Sequence, residues 1–206
     1  MTLRPRDITD ISFEAPEGWY DVETLSEDPR GDWPDRLAAT FGGEELRKNL
    51  APALQALQQV LHAEDPSGAT QARVFIPFPA EGVITAYQTY ELLQLEVDDT
   101  PESYLAATDA EAEHREPGYE IRGYRSWRSA HPIGELVGFT HLTALDDEEA
   151  GDALLEQRVV FAIFPVGAAQ AVQLVFRSAF IGGFDDMVED TQEIAESVRV
   201  SLGEAA

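Results

Sequence analysis

Residues 158–201 read RVVFAIFPVGAAQAVQLVFRSAFIGGFDDMVEDTQEIAESVRVS, and the changes of hydrophobic period along them decide the fold. Val159 to Phe164 is an unbroken apolar run closed by Pro165. It has strand length and the residue types that suit a pleated surface. A run apolar on both sides predicts a strand buried on both faces, central in its sheet. Val166 to Ala169 forms a brief turn. Val172, Leu174 and Phe176 then alternate with Gln173, Val175 and Arg177, so a second strand follows, and so short a connection makes the pair antiparallel. After Gly182-Gly183 the period changes to helical. Phe184, Met187, Val188, Thr191, Ile194, Ala195 and Val198 fall on one stripe. Asp185 and Asp186 fall in the predicted first turn, where the helix dipole favours negative charge. Val198, Val200 and Leu202 alternate with polar residues, predicting a last short strand.

Working outward, the remaining segments repeat this mixture. Ile11 to Pro16 predicts a short strand, Glu17-Gly18 a turn and Trp19 to Val22 a second strand. Thr24 to Gly31 reads as loop. Asp32 can cap a short helix with Pro34 in its first turn and Trp33, Leu37 and Phe41 on one side. A longer helix is predicted from Glu44 to His62, with Pro52 as a kink point, and a loop with Pro66 and Gly68 follows it. Strands are expected at Ala72 to Phe78 and Val83 to Leu95. Thr100 and Pro101 mark a helix start for a helix ending before Pro117-Gly118. Tyr119 to Ser129 and Glu135 to Thr143 predict a hairpin around His131-Pro132-Ile133-Gly134. Helices interrupting antiparallel hairpins, without regular strand–helix alternation, indicate an α+β fold: an antiparallel sheet flanked by helices. The length fits one domain spanning 1–206, with a helical insertion at about 32–64.

Composition excludes several function classes. With no cysteine, disulfides, thiolate metal sites and a cysteine nucleophile are ruled out. The N-terminal MTLRPRDITD lacks an apolar core segment, so no signal peptide is expected. No stretch approaches the ~18 apolar residues of a membrane span, and a cytoplasmic protein without membrane insertion is the expectation. The formal net charge of −25 opposes nonspecific nucleic-acid binding, which needs a basic footprint. It permits a basic protein partner, and it also fits plain solubility or adaptation to salt. Lys48 is the only lysine; the preference for Arg, Ala and Gly suggests a GC-rich genome.

Both ends of the chain resemble one superfamily. ISFEAPEGWYDV at 11–22 is a strand, a Pro-x-Gly-Trp turn and a second strand. AVQLVFRSAF at 171–180 followed by FDDMVEDTQEIAESVRVS at 184–201 pairs a hydrophobic strand with an amphipathic helix and a terminal strand. This pattern resembles the PsbP-like superfamily, which includes photosystem PsbP, a Ran-releasing nuclear-import factor, the DcrB proteins and the Eag chaperones of type VI secretion. The resemblance implies an antiparallel sheet between helices. It also implies a protein that binds proteins or assists assembly without catalysis, and it brings no catalytic motif to carry over.

Candidate sites are few. His62, His114, His131 and His141 lack the close spacing of a histidine metal site, and no metal or cofactor is expected. Asp146-Asp147-Glu148-Glu149 lacks the ligand spacing and glycine of a calcium loop and reads as a solvated loop. Asp185, Asp186, Glu189, Asp190 and Glu193 read as the exposed side of an amphipathic helix. No nucleophile elbow, P-loop or dinucleotide fingerprint is present. The concentrated feature is Arg122, Tyr124, Arg125, Trp127 and Arg128, with Arg115 and Tyr119 upstream. Regular alternation puts Arg122, Tyr124 and Arg128 on one strand face and Arg125 and Trp127 on the other. Arginine among aromatics is the composition of interaction hot spots and anion-binding surfaces. The simpler expectation for the same arginines is pairing with carboxylates across strands.

Three functions follow as expectations. The first is a non-enzymatic protein-binding module: an adaptor, chaperone or assembly factor of a bacterial multiprotein system. The second is an acidic immunity-type protein neutralising a basic toxin. The third is an enzyme with an unrecognised site, which would need a polar cleft gathering residues such as His141 and Glu156.

Overall fold

The computed structural model describes residues 5–23, 32–65, 70–114, 119–146 and 153–204. Within them the order begins β1 (Ile8–Ser12), β2 (Trp19–Val22), α1 (Trp33–Thr40), α2 (Glu44–Glu64), β3 (Gln71–Phe75) and β4 (Ala86–Gln94). It continues α3 (Pro101–Glu113), β5 (Tyr119–His131), β6 (Gly134–Asp146), β7 (Ala153–Pro165), β8 (Gln170–Ser178), α4 (Met187–Glu196) and β9 (Arg199–Leu202). This is the α+β architecture, with antiparallel strands flanked by helices. The chain divides into two compact units, one of residues 16–91 and one of 1–15 with 92–206. The loops anticipated at 24–31 and around Pro66 and Gly68, the end at Pro117-Gly118, and the acidic residues 147–149 lie outside the described residues.

In the unit of residues 16–91, β2 pairs with β3 and β3 with β4, all antiparallel. The helical stretch anticipated at about 32–64 is α1 and α2. Pro52 lies inside an unbroken helical run. Leu50, Leu54, Val74 and Ile76 are fully buried there, as the four-residue repeat on α2 and the alternation on β3 require. β3 ends at Phe75, before the expected Phe78, because Pro77 and Pro79 offer no N–H to a ladder. A 3-10 turn at Pro79–Glu81 and left-handed Gly82 then delay β4 to Ala86.

The other unit holds residues 158–201. Its strand order is β8-β7-β6-β5, leaving β5 at the edge. β7 is central, and Val159, Val160, Phe161, Ala162, Ile163 and Phe164 are all buried. β7 is also longer than the apolar run, because Ala153 to Gln157 continue the ladder opposite β6. Directly opposed residues share a face. Gly138, Phe161 and Leu174 therefore lie on one side, and Val137, Ala162 and Gln173 on the other. Val137, Ala162, Phe164 and Ala171 pack with Tyr104 and Leu105 of α3. On the opposite face Phe161 meets Phe176 and Trp127 edge-on, each with ring centroids 6.0 Å apart.

α3 has a reciprocal cap: the Thr100 hydroxyl accepts from the Ser103 amide and the Ser103 hydroxyl accepts from the Thr100 amide. α4 starts later than its apolar stripe suggested. Asp186 is its N-cap, accepting from the Val188 and Glu189 amides at 2.9 and 3.2 Å, and Phe184 precedes the helix. A capping side chain satisfies donors that the first turn leaves free, which outweighs the stripe in setting the start. The first strand also differs from expectation: β1 begins at Ile8 and pairs antiparallel with β9, so its partner is the C-terminal strand and not its sequence neighbour.

Candidate functional site

The five sequence candidates all lie on β5, and one irregularity decides where they point. Arg122 opposes Leu142, whereas Arg125 opposes Thr140, so β5 takes three steps where β6 takes two. Gly123 supplies this bulge with φ of +62°, a conformation that costs glycine little. Leu142, Thr140 and Gly138 alternate onto one face of β6. Arg122 therefore joins Arg125 and Trp127, away from Tyr124 and Arg128. Regular alternation had put Arg122 with Tyr124 and Arg128. One inserted residue inverts that assignment, because a single-residue slip flips every side chain beyond it.

On the face toward α3 the candidates are tied down. The Tyr124 hydroxyl donates to Asp109 at 2.9 Å, and the Ser126 hydroxyl reaches the same carboxylate at 2.8 Å. Burial raises the Tyr124 pKa above its ordinary value. Arg128 pairs with Glu102 of α3 at 2.6 Å and also with Glu135 of β6. Glu102 is held below the usual carboxylate range by its backbone hydrogen bond and then by Arg128. These contacts join β5, β6 and α3. Beyond the bulge, Arg122 pairs with Glu120 of its own strand at 2.5 Å.

The face toward α4 is open. Trp127 is half-buried, its indole lying across Gly138 toward Phe161. A Cβ at Gly138 would come 2.3 Å from that ring, so Gly138 is what lets the indole lie there. Beside it runs a groove of about 610 Å³ between Arg125, Ser126 and Trp127 on one wall and α4 on the other. The α4 wall carries Asp186, Glu189, Glu193 and Glu196, with Val188 and Gln192 between them. Spacings of three and four residues align these acids on one helix face. Arg125, Glu189, Glu193 and Glu196 are in no ion pair among the described residues. Sequence reasoning assigned Glu189 and Glu193 to an exposed helix side and did not connect them with β5. Gly138 and Glu196 carried no signal of a site at all.

Two of the four histidines, His131 and His141, are buried, whereas His62 and His114 are exposed. His131 is buried and its Nε2 lies 3.1 Å from the Ala195 carbonyl at the end of α4; burial lowers its pKa. His141 is buried with neither ring nitrogen hydrogen-bonded. It stacks on Phe139 at 6.1 Å. Desolvation, and secondarily Arg158, lowers its pKa to about 4. Register places Glu156, Arg158 and His141 on one face, and Arg158 pairs with Glu156. A second groove of about 320 Å³ reaches His141 beside Gly123 and Phe184, and Glu156 does not line it. Among the described residues no group of three or more histidine, aspartate or glutamate side chains could hold a metal ion. No helix of the described residues is long and apolar enough to cross a membrane. Arg115 and the acidic residues 147–149 lie outside the described residues.

No family model matches the sequence, and no curated protein matches it. Among solved structures the chain is similar to LpqN of Mycobacterium tuberculosis, described as involved in cell envelope biogenesis. That pair shares 13% identity over 97% of this chain and 91% of that chain, with a TM-score of 0.41. It is also similar to a protein of Bacteroides thetaiotaomicron VPI-5482, at 11% identity over 97% of this chain and 49% of that chain, with a TM-score of 0.35. At these TM-scores neither likeness bears on function.

Proposed function

We propose that this chain is a non-enzymatic protein-binding module, an adaptor, chaperone or assembly factor of a bacterial multiprotein system, and that its partner presents positive charge. The observation that carries this reading is the groove beside β5, where Trp127 is half-buried next to Glu189, Glu193 and Glu196, which are in no ion pair among the described residues. An indole with an apolar body and a polar tip suits an interface. Uncompensated acidic charge there attracts a basic surface and repels nucleic acid. The PsbP-like pattern at both ends of the sequence accords with a binding protein. On this reading the chain works in the cytoplasm without metal or cofactor. The acidic row of α4 also favours the immunity-type reading, in which the basic partner is a toxin; both readings use the same surface.

The test is affinity capture with the full chain from cytosolic and envelope fractions of its native host. Capture is expected to weaken as salt rises and to fail with Trp127→Ala or with Glu189→Gln and Glu193→Gln together. Arg47→Ala, which pairs with Asp35 in the unit of residues 16–91, should leave it intact. A folded protein carrying all three groove substitutions that still captures every wild-type partner would overturn the proposal.

A further inference from the structure

Resting on that reading, the geometry points to how the partner binds: β5 from Arg125 to His131 accepts an extended basic segment of a protein as an additional strand, seated in the groove against α4. Three observations converge. Among the described residues β5 ends the strand order, and its regular part from Arg125 to His131 pairs on one side only, with β6. Alternate residues of an edge strand aim N–H and C=O groups outward, and these can continue the ladder into another chain.

The groove lies along this strand, and its far wall is the acidic row from Asp186 to Glu196. The ten helical residues of α4 extend about 15 Å at 1.5 Å per residue, and five residues of an added strand cover about 17 Å at 3.3–3.4 Å each. The acids therefore run beside about five of the seven residues from Arg125 to His131. Side chains of an added strand alternate between faces, so every second one would meet Asp186, Glu189, Glu193 or Glu196. Lysine or arginine at those positions pairs with acids that outnumber Arg125, the cation lining the groove. On the other face Asp109, Glu102 and Glu135 already have partners in Tyr124, Ser126 and Arg128, so the intervening positions need no charge. The expected ligand is an alternating basic and apolar stretch in extended form. A second copy of this chain is disfavoured, since each brings a net charge of −25. The bulge at Gly123 ends the regular edge and confines the added strand to the half of β5 beside Trp127.

The probe is a blocked eight-residue peptide of alternating Lys and Val, compared with alternating Glu and Val. Two further peptides have the Lys-Val sequence N-methylated at alternate residues, one in each phase. Binding to the full chain is followed by Trp127 fluorescence and by hydrogen exchange of β5 amides. The Lys-Val peptide should bind and slow exchange between Arg125 and His131, and the Glu-Val peptide should not bind. N-methylation in one phase should weaken binding at least tenfold, as should Glu189→Gln with Glu193→Gln. Equal binding of both methylated peptides overturns strand addition and leaves the basic-partner reading standing. Loss of partner capture by the groove substitutions, with no β5 protection by any basic peptide, also overturns strand addition alone. Capture that survives those substitutions overturns the reading beneath it. Concentration-dependent dimerisation that protects the β5 amides without peptide would assign the edge to a second copy and overturn the proposal.

Discussion

His141 shows how a single side chain ties stability to pH. Its imidazole is buried among Phe139 and Tyr124, opposes Arg158 in register, and has a pKa depressed from 6.5 to about 4. Unfolded, the ring binds a proton near pH 6.5; folded, it resists until about pH 4. The stabilisation is therefore full above the unfolded value and is lost as pH falls through this window. Each pKa unit is 1.36 kcal/mol, so the contribution is about 3 kcal/mol at most. His131, also depressed by burial, acts in the same direction. His141→Leu should flatten the acid side of the curve. Urea midpoints at about pH 7 and pH 4.5 should show the wild type losing more stability than the variant. Equal losses would mean that His141 is not held neutral. Carboxylates titrate in both proteins, so the difference isolates the ring.

Among the elements, β7 holds its unit together and β5 presents the surface. Phe161 is fully buried and is met edge-on by Trp127 of β5 and Phe176 of β8. It links the core strand to the wall of the groove. Phe161→Ala should cost about 3–5 kcal/mol, the usual cost of truncating a buried phenylalanine. It should also alter Trp127 fluorescence in the folded state, because the indole loses the ring it packs on. A melt unchanged from wild type would remove Phe161 from the core. The arginines of β5 divide by element in the same way. Arg128 connects β5 with α3 and β6 through partly exposed pairs that contribute little singly, whereas Arg125 stands at the groove. Without the bulge, Arg122 would sit on the α3 side.

For the molecule as a whole, the net charge of −25 sets the response to salt. Like charges repel in the compact state, and added salt screens them, the Debye length falling from about 30 Å at 0.01 M to about 3 Å at 1 M. The melting temperature should therefore rise by several degrees between about 0.01 and 0.5 M sodium chloride. A fall would mean that the surface ion pairs, such as Arg36 with Glu23 and Arg73 with Asp21, outweigh the repulsion. The same screening should weaken a basic partner at the groove. Salt would then stabilise the free protein while loosening its complex.

Hydrophobic period determined the α+β class, the central position of Val159 to Phe164 and the buried side of α4 at Met187, Thr191, Ile194 and Ala195, and the Thr-Pro pair determined the cap at Thr100. These depend on local spacing and on which face a chain must hide. That Arg122, Tyr124, Arg125, Trp127 and Arg128 share one strand was also legible. Their division between two faces was not, because Gly123 inserts one residue and alternation cannot count across a bulge. Nor was the pairing of β1 with β9, which joins the two ends of the chain. The groove required tertiary structure for the same reason: Trp127 and Glu189 lie far apart in sequence. Only packing α4 beside β5, with Gly138 leaving room for an indole, brings uncompensated carboxylates alongside a strand edge.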